Sequence, residues 1–576
     1  MGAAKPQRLP SAATWRPLLL GTLLGCAFTL YGLRRAPESG CGCQGPTPTQ
    51  AEQQHDLHAL VAAAAGAPGA GCDDASDASP PQHSAPPLPL PWQPLLTPAQ
   101  LKRGLAYYGS GERMEAVAAR LLAGQPITTV TLGASITRGH GASAPDMRFP
   151  VRFFHFLNAS FPHSGHTFIN KGIGATNSGI FAVCLDQLVP SDADLVVVEF
   201  SFNEPPEAPL TDPTRRGFEQ LLRKLARLPR APAVIVLHHY AWYFAAADGL
   251  QAGQYYRAPE QHLSTLAQYY DMPSPSLRNA LYREMQADVP PFKVSRVVKP
   301  NQTSLAGAKL PWAEPGTEGQ YLFADGIHPS DVGHQALAEL LAGVVRMAAQ
   351  SVAAAAAAGS RDSSSSDGGD GDSASSGNVP AELPPPMIPG NVDSPTSLCA
   401  MQESFKSVVK EMRGFAWRAE RPDMPTFVEQ KWGYRAEKPG SWVELEFSSE
   451  EAPGQPGQQP ATVHVGYLRS YERMGAARAE CQAGCTCEPQ LLDGLWDQRV
   501  SLQQMHTFQV SQHPACRIRI TTVPRRAGTP GGAQPQGAGG KFQLTSVMVA
   551  HMPVVLASYA LQAHDLEVAV GTASTP

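Results

Sequence analysis

The run Gly133-Ala134-Ser135-Ile136-Thr137 ends an apolar stretch, ITTVTLG, and sets a serine hydroxyl in a turn of small residues. Alone, such a serine reads as a helix N-cap, its oxygen accepting a free backbone N–H of the first turn. Three further runs change that reading. Lys171-Gly172-Ile173-Gly174-Ala175-Thr176 follows HTFIN, and its glycines let backbone N–H groups come close to a substrate oxygen. Ser201-Phe202-Asn203-Glu204 follows DLVVVEF and supplies a carboxamide donor. Phe323-Ala324-Asp325-Gly326-Ile327-His328-Pro329 carries an acid and an imidazole three apart, on a loop because glycine and proline both resist a regular helix. A hydroxyl is a weak nucleophile until a base takes its proton, and imidazole exchanges protons near neutrality. A carboxylate beside the imidazole fixes its tautomer, while fixed donors stabilise charge on a tetrahedral oxygen. Ser135, His328 and Asp325 together with these donors are a set able to perform acyl transfer.

The elements that must position this set are legible as periodicity. ITTVTLG, HTFIN, DLVVVEFS and APAVIVLHHY are short, apolar and β-branched, as expected for strands buried on both faces. GFEQLLRKLARL and VGHQALAELLAGVVRMAAQ carry helical spacing. Strands alternating with helices predict a parallel α/β sheet, whose ligands sit beyond the carboxyl ends of the strands. Three of the four chemical runs fall at such ends, and the fourth just precedes the closing helix.

In this order, and over residues 97–350, the chain resembles the SGNH (GDSL-like) serine hydrolase superfamily. The resemblance implies a three-layer α/β/α domain with a parallel sheet and no cofactor or metal. It makes Ser135 the nucleophile and His328 the general base, oriented by Asp325. It builds the oxyanion hole from the Ser135 backbone N–H, Gly174 and Asn203, with Gly174 preferred to Gly172 on spacing. Three positions depart from the family: its G-D-S reads Gly133-Ala134-Ser135, Ser201 stands where glycine is common, and Glu204 where aspartate is expected.

Other residues invite a chemical reading. His238 and His239 close their strand and Trp242 follows, a position suited to a pocket wall, although adjacent strand residues point to opposite faces. The segment 244–320, rich in Tyr and Pro, either covers the site or packs its aromatics into the core. From 394 to 555, WVELEFS, TVHVGYLRSYE, RVSLQQMHTFQV, CRIRITTV and KFQLTSVMVAHM alternate with period two between Gly/Pro/Gln-rich turns, predicting a C-terminal β-sandwich. There Cys399, Cys481, Cys485, Cys487 and Cys516 read as disulfide candidates rather than metal ligands, since no histidine sits at finger-like spacing, and one of the five is left without a partner in the domain. Trp417, Trp432, Tyr434 and Trp442 suit either a sandwich core or a sugar-stacking platform.

With 16% charged residues and a net charge of -5, the chain lacks the basic excess that condenses on phosphate backbones, so nucleic acid is not an expected partner. Residues 17–33 carry no charge between Arg16 and Arg34 and would span about 26 Å as a helix, enough for a signal anchor. The expected organisation is a cytoplasmic tail and anchor (1–35), a Pro/Ala-rich stalk (36–96), the hydrolase (97–350), a low-complexity linker (351–393), the β-rich domain (394–555) and a tail (556–576). Glycosylation sequons at Asn158 and Asn301 and the clustered cysteines fit a lumenal body in the Golgi or endoplasmic reticulum, or at the cell surface; a secreted form is the alternative. The function expected is a membrane-tethered esterase that removes acyl groups, acetyl above all, from a carbohydrate. A glycan O-acyltransferase and a catalytically silent glycan-binding or scaffolding protein are the competing readings.

Overall fold

The computed structural model describes residues 88–551 apart from 175, 207, 244–252, 304–308, 363–382, 394, 420–421, 424–430, 455–456, 472, 496–501 and 525–538. The expected anchor, the C-terminal tail and most of the stalk lie outside these residues. The four apolar runs form strands β1 (Thr128–Gly133), β2 (Thr167–Gly172), β3 (Leu195–Glu199) and β4 (Ala233–Val236). They make one parallel sheet in the order β2-β1-β3-β4. The helices that matter for the site and its cores are α1 (Glu112–Leu122), α2 (Ser135–Arg138), α3 (Phe149–Ser160), α4 (Ser178–Val183), α5 (Pro213–Ala226), α6 (Ala258–Tyr269), α7 (Leu277–Gln286) and α8 (Asp331–Asp362).

Because successive strand residues face opposite ways, the β-branched runs feed two cores at once. Leu195, Val197, Ala233 and Ile235 join the core built with α1, α3, α7 and α8. Val196, Val198, Val234 and Val236 join the one built with α4, α5 and α6. Helix α8 is long and apolar enough to cross a membrane, but Ala336, Leu337, Leu340, Leu341, Val344 and Val345 are buried against the sheet's helices, so it reads as the closing core helix. The strand order reverses between β1 and β3, and a crevice opens at such a switch point outside the carboxyl ends. Ser135 follows β1 and Asn203 follows β3.

The second region holds strands β5 (Thr396–Met401), β6 (Val409–Arg413), β7 (Phe415–Ala419), β8 (Trp432–Ala436), β9 (Trp442–Phe447), β10 (Ala461–Arg469), β11 (Ala476–Ala483), β12 (Gln490–Asp493), β13 (Leu502–Val510), β14 (Cys516–Val523) and β15 (Phe542–Ala550). One sheet runs β13-β10-β15-β8-β7 with β5 also on β15, the other β12-β11-β14-β9-β6, and every pairing is antiparallel. β14 alternates strictly, with Cys516, Ile518 and Ile520 inward. β15 is buried throughout: Val547 and Val549 face the sandwich core, while Met548 and Ala550, with Met401 and Met505, pack on the α4–α5 side of the hydrolase. Of the stretch expected as linker, residues 351–362 continue α8 and the end of it is fastened to α5. Glu219 accepts the N–H of Met387 and the Asn391 carboxamide, and Arg223 binds the Pro384 carbonyl and Asp393.

Candidate active site

Two glycines let the strand ends and α2 meet. A Cβ on Gly133 would stand 2.0 Å from Thr137 Oγ1 and 2.6 Å from the Glu199 carbonyl oxygen. A Cβ on Gly172 would stand 2.4 Å from the Arg138 backbone nitrogen. Larger residues at either place would push α2, whose first residue is Ser135, off the sheet. Gly172 is therefore spent on packing. Gly174 lies beside the serine instead, its Cβ position 3.9 Å from Ser135 Cβ.

Ser135 Oγ donates to His328 Nε2 at 2.9 Å, and His328 Nδ1 donates to Asp325 at 2.9 and 3.0 Å from its two oxygens. Asp325 Oδ1 also accepts the backbone N–H groups of Ile327 and His328. Burial alone would raise this carboxyl, but His328's charge and hydrogen bond and the two N–H groups hold it well below the usual carboxylate range. Lys299 Nζ lies 3.7 Å from Asp325 Oδ2, and the Lys299 N–H donates to the Ala324 carbonyl. The segment before the acid–imidazole turn thus braces it.

The histidines expected in a pocket wall lie under the site, fully buried. His239 Nε2 donates to the Ile327 carbonyl at 2.9 Å, inside the turn that carries Asp325 and His328. Burial lowers its pKa to about 3, so it works as a neutral donor. His238 faces away, with the Ser274 and Ser264 hydroxyls at its Nε2. Trp242 packs against Tyr282, ring centroids 6.0 Å apart. Of the three, His239 holds the loop from behind, while His238 and Trp242 pack elsewhere, Trp242 half-buried.

The departures from the family pattern have local causes. Ser201 Oγ donates to the His239 carbonyl and accepts the His239 N–H, tying the ends of β3 and β4. Glu204 accepts the Ser178 N–H and hydroxyl and pairs with Arg215 at 3.1 Å. It thereby ties the Asn203 turn to the start of α4, just after the Gly174 run. Asn203 itself is buried, its N–H on the Phe200 carbonyl.

Three residues near the triad carried no signal in the sequence beyond their charge or ring. The His140 ring is tilted against the His328 ring with centroids 4.2 Å apart, and Arg138 Nη1 stands 3.1 Å from the Gly174 Cβ position. Lys299 is the third. His140, Asp325 and His328 bring one donor atom each within 4.8 Å, a spacing open to a metal, yet both His328 nitrogens are engaged by Ser135 and Asp325.

Elsewhere, Asn301 is exposed and Asn158 is half-buried on α3. Cys481 pairs with Cys487 and Cys485 with Cys516. The cysteine left over in the β-rich domain, Cys399, pairs with Cys184 of the hydrolase, a partner that no local spacing announces. The four aromatics make no single platform. Tyr434 is core, Trp442 lies under the Arg519 guanidinium, and Trp417 and Trp432 stack at 5.9 Å. Of the four, Trp432 lines a cleft facing the hydrolase.

Residues 131–336 match the model of the GDSL-like Lipase/Acylhydrolase family. No curated protein matches the chain. Among solved structures, it is similar to a two-domain esterase active on acetylated mannans, at 19% identity and a TM-score of 0.51, covering 78% of this chain and 98% of that one. The same enzyme type co-crystallised with mannopentaose aligns at 19% identity and a TM-score of 0.50, covering 78% and 97%. At such identity the likeness establishes a shared fold across both regions. The match to the GDSL-like Lipase/Acylhydrolase family model thus falls on the α/β region, which this chain joins to a β-rich domain.

Proposed function

We propose that the chain is a membrane-tethered serine esterase that removes acyl groups, acetyl first among them, from a carbohydrate. The observation that carries the reading is the continuous hydrogen-bonded line Ser135–His328–Asp325. In this reading Ser135 Oγ attacks the ester carbonyl while its proton passes to His328 Nε2. The oxyanion is met by the N–H groups of Ser135 and Gly174 and by the Asn203 carboxamide. His328 returns the proton to the departing sugar oxygen, leaving an acyl-serine. Water, deprotonated by the same imidazole, then releases the acid and restores Ser135. The acetylated mannan of the similar two-domain esterase makes acetylated polysaccharides the substrates to test first. Residues 17–33, the two sequons and the disulfides support a lumenal or cell-surface body on a membrane anchor.

The test is hydrolysis of an aryl acetate and labelling by a fluorophosphonate, wild type beside Ser135→Ala. Turnover and labelling in the wild type, with neither in the variant, is the expected result. A folded, oxidised wild type inert to both would remove the esterase reading.

A further inference from the structure

An exposed imidazole, His140, lies against the ring of His328. One ring nitrogen from each and one Asp325 oxygen fall within 4.8 Å of one another. From this juxtaposition we infer that His140 and His328 form a binding site for a borderline-soft divalent metal ion of the zinc type, and that the bound ion switches the esterase off. The inhibition rests on the esterase reading, though the binding does not.

Position comes first. The loop that carries His140 is built against the catalytic turn. The His140 N–H donates to the Ser135 carbonyl at 2.8 Å, and its carbonyl accepts from Nε2 of the buried His334 at 3.3 Å. The next residue, Gly141, has a φ of +104°, and a Cβ there would stand 2.1 Å from the Pro329 carbonyl oxygen and 3.1 Å from His328 Cβ. Glycine therefore lets the two loops touch. With both backbone groups of His140 held, its freedom is in the side-chain torsions, and among the described residues no hydrogen-bond partner occupies either ring nitrogen.

Chemistry comes second. Asp325 keeps the His328 proton on Nδ1, so the Nε2 lone pair points toward Ser135. A carboxylate behind an imidazole is also how proteins prepare histidine to ligate zinc, since it fixes the tautomer and makes the far nitrogen more basic. The lone pair that would take the serine proton is thus a metal ligand too, and the two uses exclude each other. Coordination draws one lone pair from each neutral imidazole and expels water from the ion, so no proton is lost and nothing is oxidised. The Ser135 hydroxyl gives up its bond to Nε2, and water or that hydroxyl completes the shell. While the ion stays, Ser135 has no base. Imidazole selects zinc or copper over magnesium and calcium, which take oxygen ligands. The Lys299 ammonium, 3.7 Å from Asp325 Oδ2, repels a dication, which keeps the site weaker than a structural zinc centre and the inhibition reversible.

The test titrates zinc against aryl acetate hydrolysis by the full chain. Wild type should lose activity at micromolar zinc, recover with a chelator and ignore magnesium. His140→Ala should need about tenfold or more zinc for the same fractional loss, each protein being compared with its own rate without metal. Binding is read separately by calorimetry with zinc on Ser135→Ala and on Ser135→Ala with His140→Ala. The first should bind at least as tightly as wild type, since no hydroxyl competes for Nε2, and the second about tenfold or more weakly. Zinc held elsewhere, as by the neighbouring rings of His163 and His166, appears in both and cancels. Hydrolysis indifferent to zinc, or inhibition and binding unchanged by His140→Ala, overturns the inference and leaves the esterase reading standing. Zinc binding that depends on His140 in a chain inert to aryl acetate keeps the metal site and removes the esterase.

Discussion

Ser135 Oγ lies 2.9 Å from His328 Nε2, and in the proposed reaction that nitrogen can take the serine proton only while Nδ1 keeps its own against Asp325. Asp325 is held ionised by its neighbours, so the tautomer is fixed in advance. An amide in its place would present a donor to Nδ1 and favour the tautomer with Nε2 already protonated. Asp325→Asn should therefore lower kcat on an aryl acetate by about 10⁴-fold, by analogy with other serine triads, with the circular dichroism spectrum unchanged; a loss under tenfold would remove the orienting role. Asn203→Ala should cost about 10²–10³ in kcat with KM little moved, the mark of a donor used in the transition state. The contact of Asp325 with His328 was legible because a glycine–proline frame forces the acid and the imidazole onto one turn. His140 and Lys299 were not, since each comes from a loop whose sequence carries no spacing rule, and only the fold brings them to His328 and Asp325.

At the scale of elements, the site depends on how the ends of β1 and β3 meet α2. Glu199, the last residue of β3, accepts the Thr137 hydroxyl beneath the serine. Burial raises its pKa from 4.5 to about 8, with the Thr137 bond opposing. A raised acid means that the folded chain keeps a proton the unfolded chain has lost. Its contribution to stability is therefore full below pH 4.5, falls as pH rises, and levels off above about 8. Buried His239 and His334, both lowered to about 3, push the other way across the acid range, so the effect must be read as a difference between two proteins. The stability of wild type relative to Glu199→Gln should drop by about 1.4 kcal/mol per pH unit between those limits, measured by urea unfolding at several pH values. Parallel curves would mean that Glu199 titrates normally. The parallel strands were plain in the sequence because β-branched runs buried on both faces look like little else. Among the strands not foreseen are β5 and β8, since TSLCAM and WGYRA are short and their burial is decided by partners far along the chain: Met401 packs with the hydrolase, Tyr434 with the sandwich.

At the scale of the molecule, the β-rich domain is docked by three independent means. Met401, Met505, Met548 and Ala550 share a core with the helices α4–α6, residues 384–393 are hydrogen-bonded to α5, and Cys184 is bonded to Cys399. The disulfide closes a chain separation of 215 residues, for which the chain-entropy model gives about 5 kcal/mol, against the 2–4 kcal/mol that bridges typically supply. Its share can be separated from the packing because serine is nearly isosteric with cysteine and leaves the methionine contacts intact. The wild type should melt in one calorimetric transition, since the shared core and the bridge couple the two regions. Cys184→Ser with Cys399→Ser should bring the first transition down by several degrees and split it, with the β-rich domain released at lower temperature than the hydrolase. Aryl acetate hydrolysis should survive in that variant, whose triad lies wholly on one side, while turnover of any polymer that spans both walls of the cleft should fall. A single, unshifted transition would mean that the apolar face and the α5 clamp fasten the domains without help from the bridge.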